Sequence, residues 1–246
     1  MDYALEWNRW LHIVAGFIGL AAFWVPVFSR KGSSIHKTAG KVFRYSAIIV
    51  VAGAGLSVVV RITDALRSGA SISGNIEAWS FLIFLGYIAL FTGVILSHGI
   101  AVLKHKSKLS ELNTPYRRIS AWSAIFSSLF IVGWALYWQP DNAIVLYALS
   151  PIGILNGWSI LQVISPSASH EPRKWLLEHL NAMLGCGIAF HTAFAVFGMG
   201  RILPIELTGI WQVLPWVLPA LIGIPATSIW MRKYRNHTAG AIQQAG

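Results

Sequence analysis

Residues 79–103 read WSFLIFLGYIALFTGVILSHGIAVL. No Asp, Glu, Lys or Arg interrupts these 25 residues. A helix of that length rises about 37 Å, enough to cross the roughly 30 Å hydrocarbon core of a bilayer. Core helices of soluble proteins keep a polar face, so this stretch places the chain in a membrane. It also carries an ionisable side chain near its end, His98.

Six further runs lie outward from it: Trp10 to Phe28, Val42 to Val60, Ile119 to Trp138, Ala143 to Ile164, Leu176 to Met199 and Trp211 to Met231. Together the seven predict an all-α integral membrane protein, a seven-transmembrane-helix bundle. Residues 1–231 are expected to form one domain, and 232–246 a short basic cytoplasmic tail. With 55% hydrophobic and 11% charged residues in 246, the chain is neither disordered nor an ordinary soluble enzyme. One cysteine excludes a disulfide scaffold. Asp2 and Glu6 precede the first run where a signal peptide would be basic, and no A-x-A site follows it, so the run is expected to be retained.

Basic residues set the orientation, because cytoplasmic loops collect them. One side receives Arg30, Lys31, Lys37, Lys41, Arg44, Lys104, Lys106, Lys108, Arg117, Arg118, Arg173, Lys174, Arg232, Lys233 and Arg235. The other receives Arg9, Arg61, Arg67 and Arg201. Fifteen against four puts the N-terminus outside and the C-terminus in the cytoplasm. The net charge of +10 then points to anionic lipid head groups as the partner of the cytoplasmic loops, and not to nucleic acid. Trp7, Trp10, Trp79, Trp138 and Trp211 are expected at the outer interface, and Trp24, Trp122, Trp175 and Trp230 near the inner one. Gly153 and Gly157 offer a small-residue face for close helix approach. Pro151, Pro215, Pro219 and Pro225 are expected to bend or unwind their helices unless neighbours compensate.

Polar groups at membrane depth point to function, because each is costly unless paired or wetted. No Asp, Glu, Lys or Arg falls at mid-span, which counts against proton pumps and ion-coupled carriers. The last span has no lysine for retinal. Asn156, Gln162 and Asn181 are read as helix-to-helix hydrogen bonders.

Eight histidines stand out in so uncharged a chain. His12 and His191 fall in the outer half, His36, His98, His105, His170 and His179 on the cytoplasmic side, and His237 in the tail. Haem b is held in membranes by paired axial imidazoles, and two stacked haems carry electrons across the bilayer. His179 and His191 are 12 residues apart, about 18 Å along a helix, although that spacing turns them about 120° from each other. His12 with His191 makes a candidate outer site, and His98 with His179 or His36 an inner one. Gly16 and Gly40, each one turn from a histidine, clear room for a flat ring or serve ordinary packing.

The same inner histidines, His36, His98 and His179, offer three imidazoles to a zinc ion. No H-E-x-x-H pattern supports this, and Glu178 is the one acid near the cluster. A histidine near a helix end also serves simply by bonding a carbonyl, a lipid phosphate or water, which is the favoured reading for His105, His170 and His237. Cys186, between Gly185 and Gly187, reads as a small packing residue. No phosphate-binding glycine loop or serine elbow occurs.

The stretch His12-Ile-Val-Ala-Gly16, then Arg30-Lys31-Gly32, then His36-Lys-Thr-Ala-Gly40-Lys-Val-Phe43, with Tyr87 and Thr92-Gly93, resembles an uncharacterised family of predicted prokaryotic membrane proteins. The likeness covers about residues 12–93, with Lys37 in place of the usual arginine. It implies a prokaryotic membrane origin and a role for His12 and His36, with Gly32 and Gly40 supplying turns, and it implies no reaction.

Three functions therefore stand open for a multi-pass protein of the bacterial inner membrane. The first is a haem b redox protein that transfers electrons to a partner or to other membrane subunits. The second is a cofactor-free accessory or transport protein, and the third a zinc-dependent membrane enzyme.

Overall fold

The computed structural model describes residues 2–141, 143–167, 173–199 and 209–243. All regular structure among them is helical. The helices are α1 (Asp2–Phe28), α2 (Ser34–Arg67), α3 (Ile76–Ala101), α4 (Pro115–Trp138), α5 (Ala143–Ile164), α6 (Lys174–Ala193) and α7 (Leu214–Gln243). A π turn, Phe194–Gly198, prolongs α6, and a 3-10 turn, Gly209–Val213, precedes α7. Among the described residues, seven helices are long and apolar enough to cross a membrane, so the chain is a multi-pass membrane protein.

The spans lie where the apolar runs do, but the helices outrun them. The greatest difference is α2, which covers 34 residues where the apolar run Val42 to Val60 has 19. Charge does not end a helix; backbone geometry does. At its start Gly32 takes φ +80°, a conformation costly to other residues, and the Ser33 side chain accepts the His36 N–H at 3.2 Å as an N-cap. At its end Ser68 caps the helix and Gly69 takes φ +69°. Gly40, expected to supply a turn, is instead helical within α2, because the turn is already complete at Gly32. Residues 232–243, expected as a tail, continue α7.

Proline does not break these helices. α1 runs through Pro26, α5 through Pro151, and α7 through Pro219 and Pro225, while Pro215 sits in the first turn of α7 where its missing N–H is no loss. At Pro151 the compensation is visible. The Ser150 hydroxyl donates to Tyr147 O at 3.4 Å, and Tyr87 Oη donates to Leu149 O and Ser150 O at 3.1 and 3.2 Å.

The chain clusters into two compact units, one of residues 1–93 and 127–151 and the other of residues 94–126 and 152–246. In the first, α1 and α2 form a hairpin. Asn8 Nδ2 donates to Gly53 O and Ser57 Oγ at 2.9 and 2.8 Å, and Phe23 packs on Phe43 with ring centroids 5.5 Å apart. Gly86 and Gly93 let α3 approach, since a Cβ at either would lie 3.2 Å from a valine methyl of α2. Three fully buried serines in this unit, Ser80, Ser128 and Ser150, serve aromatic or backbone partners: Trp134 Nε1 donates to Ser80 Oγ at 2.8 Å, and Ser128 Oγ donates to Tyr87 Oη at 3.3 Å. Trp79 is buried in protein, not displayed at a lipid interface as its position in the sequence suggests.

In the second unit Val94 and Ala101 of α3, Ala121 and Ala124 of α4, and Ile160 and Ile164 of α5 share one core. The small-residue reading of Gly157 holds: a Cβ there would lie 2.6 Å from Ala121 O. Asn156, read as a helix-to-helix bonder, instead donates within its own helix to Ile152 O at 2.9 Å.

Candidate functional site

Ser97, His98 and Gly99 form the last full turn of α3, and Glu178 and His179 lie in the second turn of α6. The two helices meet at their smallest residues. A Cβ on Gly99 would lie 2.6 Å from Ala182 Cβ and 2.5 Å from Met183 Cε, so only glycine permits this approach. With the backbones this close, side chains from each helix reach across to the other. His98 Nε2 lies 3.4 Å from Glu178 Oε2, and His179 Nδ1–H donates to Gly99 O at 2.8 Å. From α4, Arg117 Nη1 donates to Ser97 Oγ at 3.0 Å.

His98 is 3% exposed and the Glu178 side chain 16%. A carboxylate only accepts hydrogen bonds, so in the neutral imidazole it selects the tautomer with hydrogen on Nε2. The other ring nitrogen, Nδ1, is buried and has no hydrogen-bond partner among the described residues. An orphaned buried polar atom costs about 1–3 kcal/mol and calls for an explanation.

The other candidate histidines are bound up in helix structure. His12, on α1, turns its ring to the Val50 carbonyl of α2, next to the Asn8–Gly53 contact. His36, in the first turn of α2, donates from Nδ1 to Pro26 O at 3.2 Å, and Lys31 Nζ donates to Pro26 O and Val27 O at 2.5 and 2.9 Å. These donors satisfy carbonyls left open at the end of α1 and set a cation against its negative pole. Partial burial pushes the Lys31 ammonium below the usual lysine range. His191 Nδ1 donates to Gly187 O, one turn back, at 2.7 Å. His105, on the α3–α4 connection, pairs with Glu111 at 3.1 Å. His170 and the side chain of His237 lie outside the described residues.

His98 and His179 thus sit side by side in the second unit, which also holds His191, while His12 and His36 belong to the first. No group of three His, Cys, Asp or Glu side chains is gathered as a metal would need among the described residues. A Cβ at Gly16 or Gly40 would meet nothing within 4 Å, so the space beside each is open. Arg117 and the Asn8 clamp were not legible as site or packing residues, because both act through a partner on another helix. Comparison with family models, with curated proteins and with solved structures finds no match, and the resemblance in residues 12–93 rests on its motifs alone.

Proposed function

We propose that the protein is a cofactor-free transport or accessory protein of the bacterial inner membrane, with its N-terminus outside and its C-terminus in the cytoplasm. The observation that supports it is the use made of the imidazoles. His36 and His179 each donate a ring N–H to a main-chain carbonyl of another helix, as polar side chains do when they stitch membrane helices together, and His191 donates to Gly187 O within its own helix. Among the described residues, His98 is the one histidine that faces a largely buried carboxylate. The fifteen-to-four division of basic residues supports the orientation, with anionic head groups as partners of the cytoplasmic face.

A second reading, a haem b protein passing electrons to a redox partner, is favoured by one observation. Donation from Nδ1 of His179 and His191 fixes the tautomer in which Nε2 carries the ligating lone pair. Oxidised and dithionite-reduced absorption spectra of the purified protein, with metal analysis on the same sample, decide between them. A flat difference spectrum with no stoichiometric metal is expected. A reduced haem b band lost on His191→Ala overturns the first reading in favour of the second, and stoichiometric zinc overturns it in favour of a metalloenzyme.

A further inference from the structure

The His98–Glu178 pair is built unlike any other polar contact described in the molecule. Its imidazole is almost wholly buried, one ring nitrogen lies 3.4 Å from a carboxyl oxygen, and the other has no hydrogen-bond partner among the described residues. With a neutral imidazole and an ionised carboxylate the pair would carry a net charge of −1 inside a membrane-spanning helix packing, where an uncompensated charge is costly. We propose that His98 and Glu178 form a proton-binding site that takes up one proton at His98 Nδ1.

In that step an N–H bond forms at Nδ1 with a proton from the aqueous phase. No bond in the protein breaks and no electrons change hands. The Nε2–H keeps its place against Glu178, and the pair passes from −1 to a neutral imidazolium–carboxylate. Neutralisation favours loading, but it creates a new buried donor with no acceptor in this arrangement. Loading therefore calls for an acceptor, a water or a carbonyl, at Nδ1.

Among the elements packed here, α6 carries Lys174, Glu178, His179 and His191, with His179 held by Gly99 O; α4 carries Tyr116, Arg117 and Arg118, of which Arg117 is bonded to Ser97 and opposes uptake; and α7, packed on α6, carries Arg232, Lys233, Tyr234 and Arg235. Residues 152–164 of α5 contain no ionisable side chain. What the proton drives rests on the transport reading above; the site itself does not.

The test is a pH titration, over about pH 4 to 9, of protein with ¹⁵N-labelled histidine in lipid nanodiscs, followed by NMR. In the wild type one imidazole titration is expected that is missing in His98→Gln and displaced, by about tenfold in proton affinity, in Glu178→Gln. Cys186, the single cysteine and fully buried, reports folding by staying unreactive to maleimide. If the glutamine variant does not fold, Glu178→Asp replaces it, and a displaced midpoint is again expected. A titration unmoved by either change at Glu178, or no titration assignable to His98, overturns the site. Proteoliposomes containing a pH dye separate the site from any use of the proton in transport: a titrating pair without proton flux leaves the site and removes proton movement from the transport reading, whereas flux without titration sinks the site.

Discussion

Asn8 Nδ2 lies 2.9 Å from the carbonyl oxygen of Gly53 and 2.8 Å from Ser57 Oγ, so one amide ties α1 to two successive turns of α2. The glycine is what makes the contact fit. A Cβ at position 53 would come within 2.9 Å of Asn8 Oδ1, whereas at Gly55 it would meet nothing within 4 Å. Gly53→Ala should therefore destabilise the folded protein by about 1–2 kcal/mol through loss of the clamp, and Asn8→Leu by a similar amount. Gly55→Ala should be neutral or slightly stabilising. Thermal unfolding in detergent checks the order, and equal shifts for Gly53 and Gly55 would disprove the clamp.

A harsher effect is expected at Gly157. Its missing Cβ would lie 2.6 Å from Ala121 O and 2.7 Å from Ile125 Cγ1, and a backbone oxygen cannot rotate away. Gly157→Ala should cost about 2–4 kcal/mol or lower the folded yield outright. Gly133→Ala, with open space around it, should leave the yield unchanged. Comparable recovery of both variants after size-exclusion chromatography would refute the close packing of α4 on α5.

Tyr87→Phe removes the hydroxyl that donates to Leu149 O and Ser150 O and accepts from Ser128 Oγ. The expected loss is about 1 kcal/mol, within the usual range for a polar contact between membrane helices. Amide hydrogen exchange should rise around Pro151 in particular. A variant as protected there as the wild type would show that α5 tolerates its proline without help.

Lys31 supplies the pH prediction. Its folded pKa is lowered by burial, so between that value and the ordinary lysine value the folded chain holds fewer protons than the unfolded one. Its contribution to stability therefore rises with pH through that window and is complete above the ordinary value. Below the window the charged ammonium bears its desolvation cost in full. Lys31→Met should lose about 1 kcal/mol of hydrogen bonding near neutral pH and show a flatter stability curve than the wild type in the window just below the ordinary lysine value. Parallel curves would rule out the assignment.

The number and placing of the spans were legible because bilayer crossing is a demand on composition, which residues 79–103 meet without any knowledge of neighbours. Helix ends were less so. Lys37, Lys41 and Arg44 suggest a loop, yet Ser33 and Gly32 control where α2 begins, and a charged residue is at home on a helix. His36 was visible as a motif, but its partner Pro26 O became apparent only in the folded hairpin. His98 and Glu178 were both noted, and their pairing was not, because they are 80 residues apart and meet only through the contact of α3 with α6.

At 34 residues α2 is about 51 Å long, roughly 20 Å more than a bilayer's hydrocarbon thickness. Lys37, Lys41 and Arg44 mark one of its ends and Arg61, Asp64 and Arg67 the other, with an uncharged stretch of 16 residues, 45–60, between them. That uncharged stretch spans about 24 Å, less than the roughly 30 Å hydrocarbon core, so there is no slack for the helix to slide along the membrane normal. The bilayer must thin around it or the charged stems extend to the two interfaces, and the shorter α1, tied to it at Asn8 and Pro26, shares that fixed register.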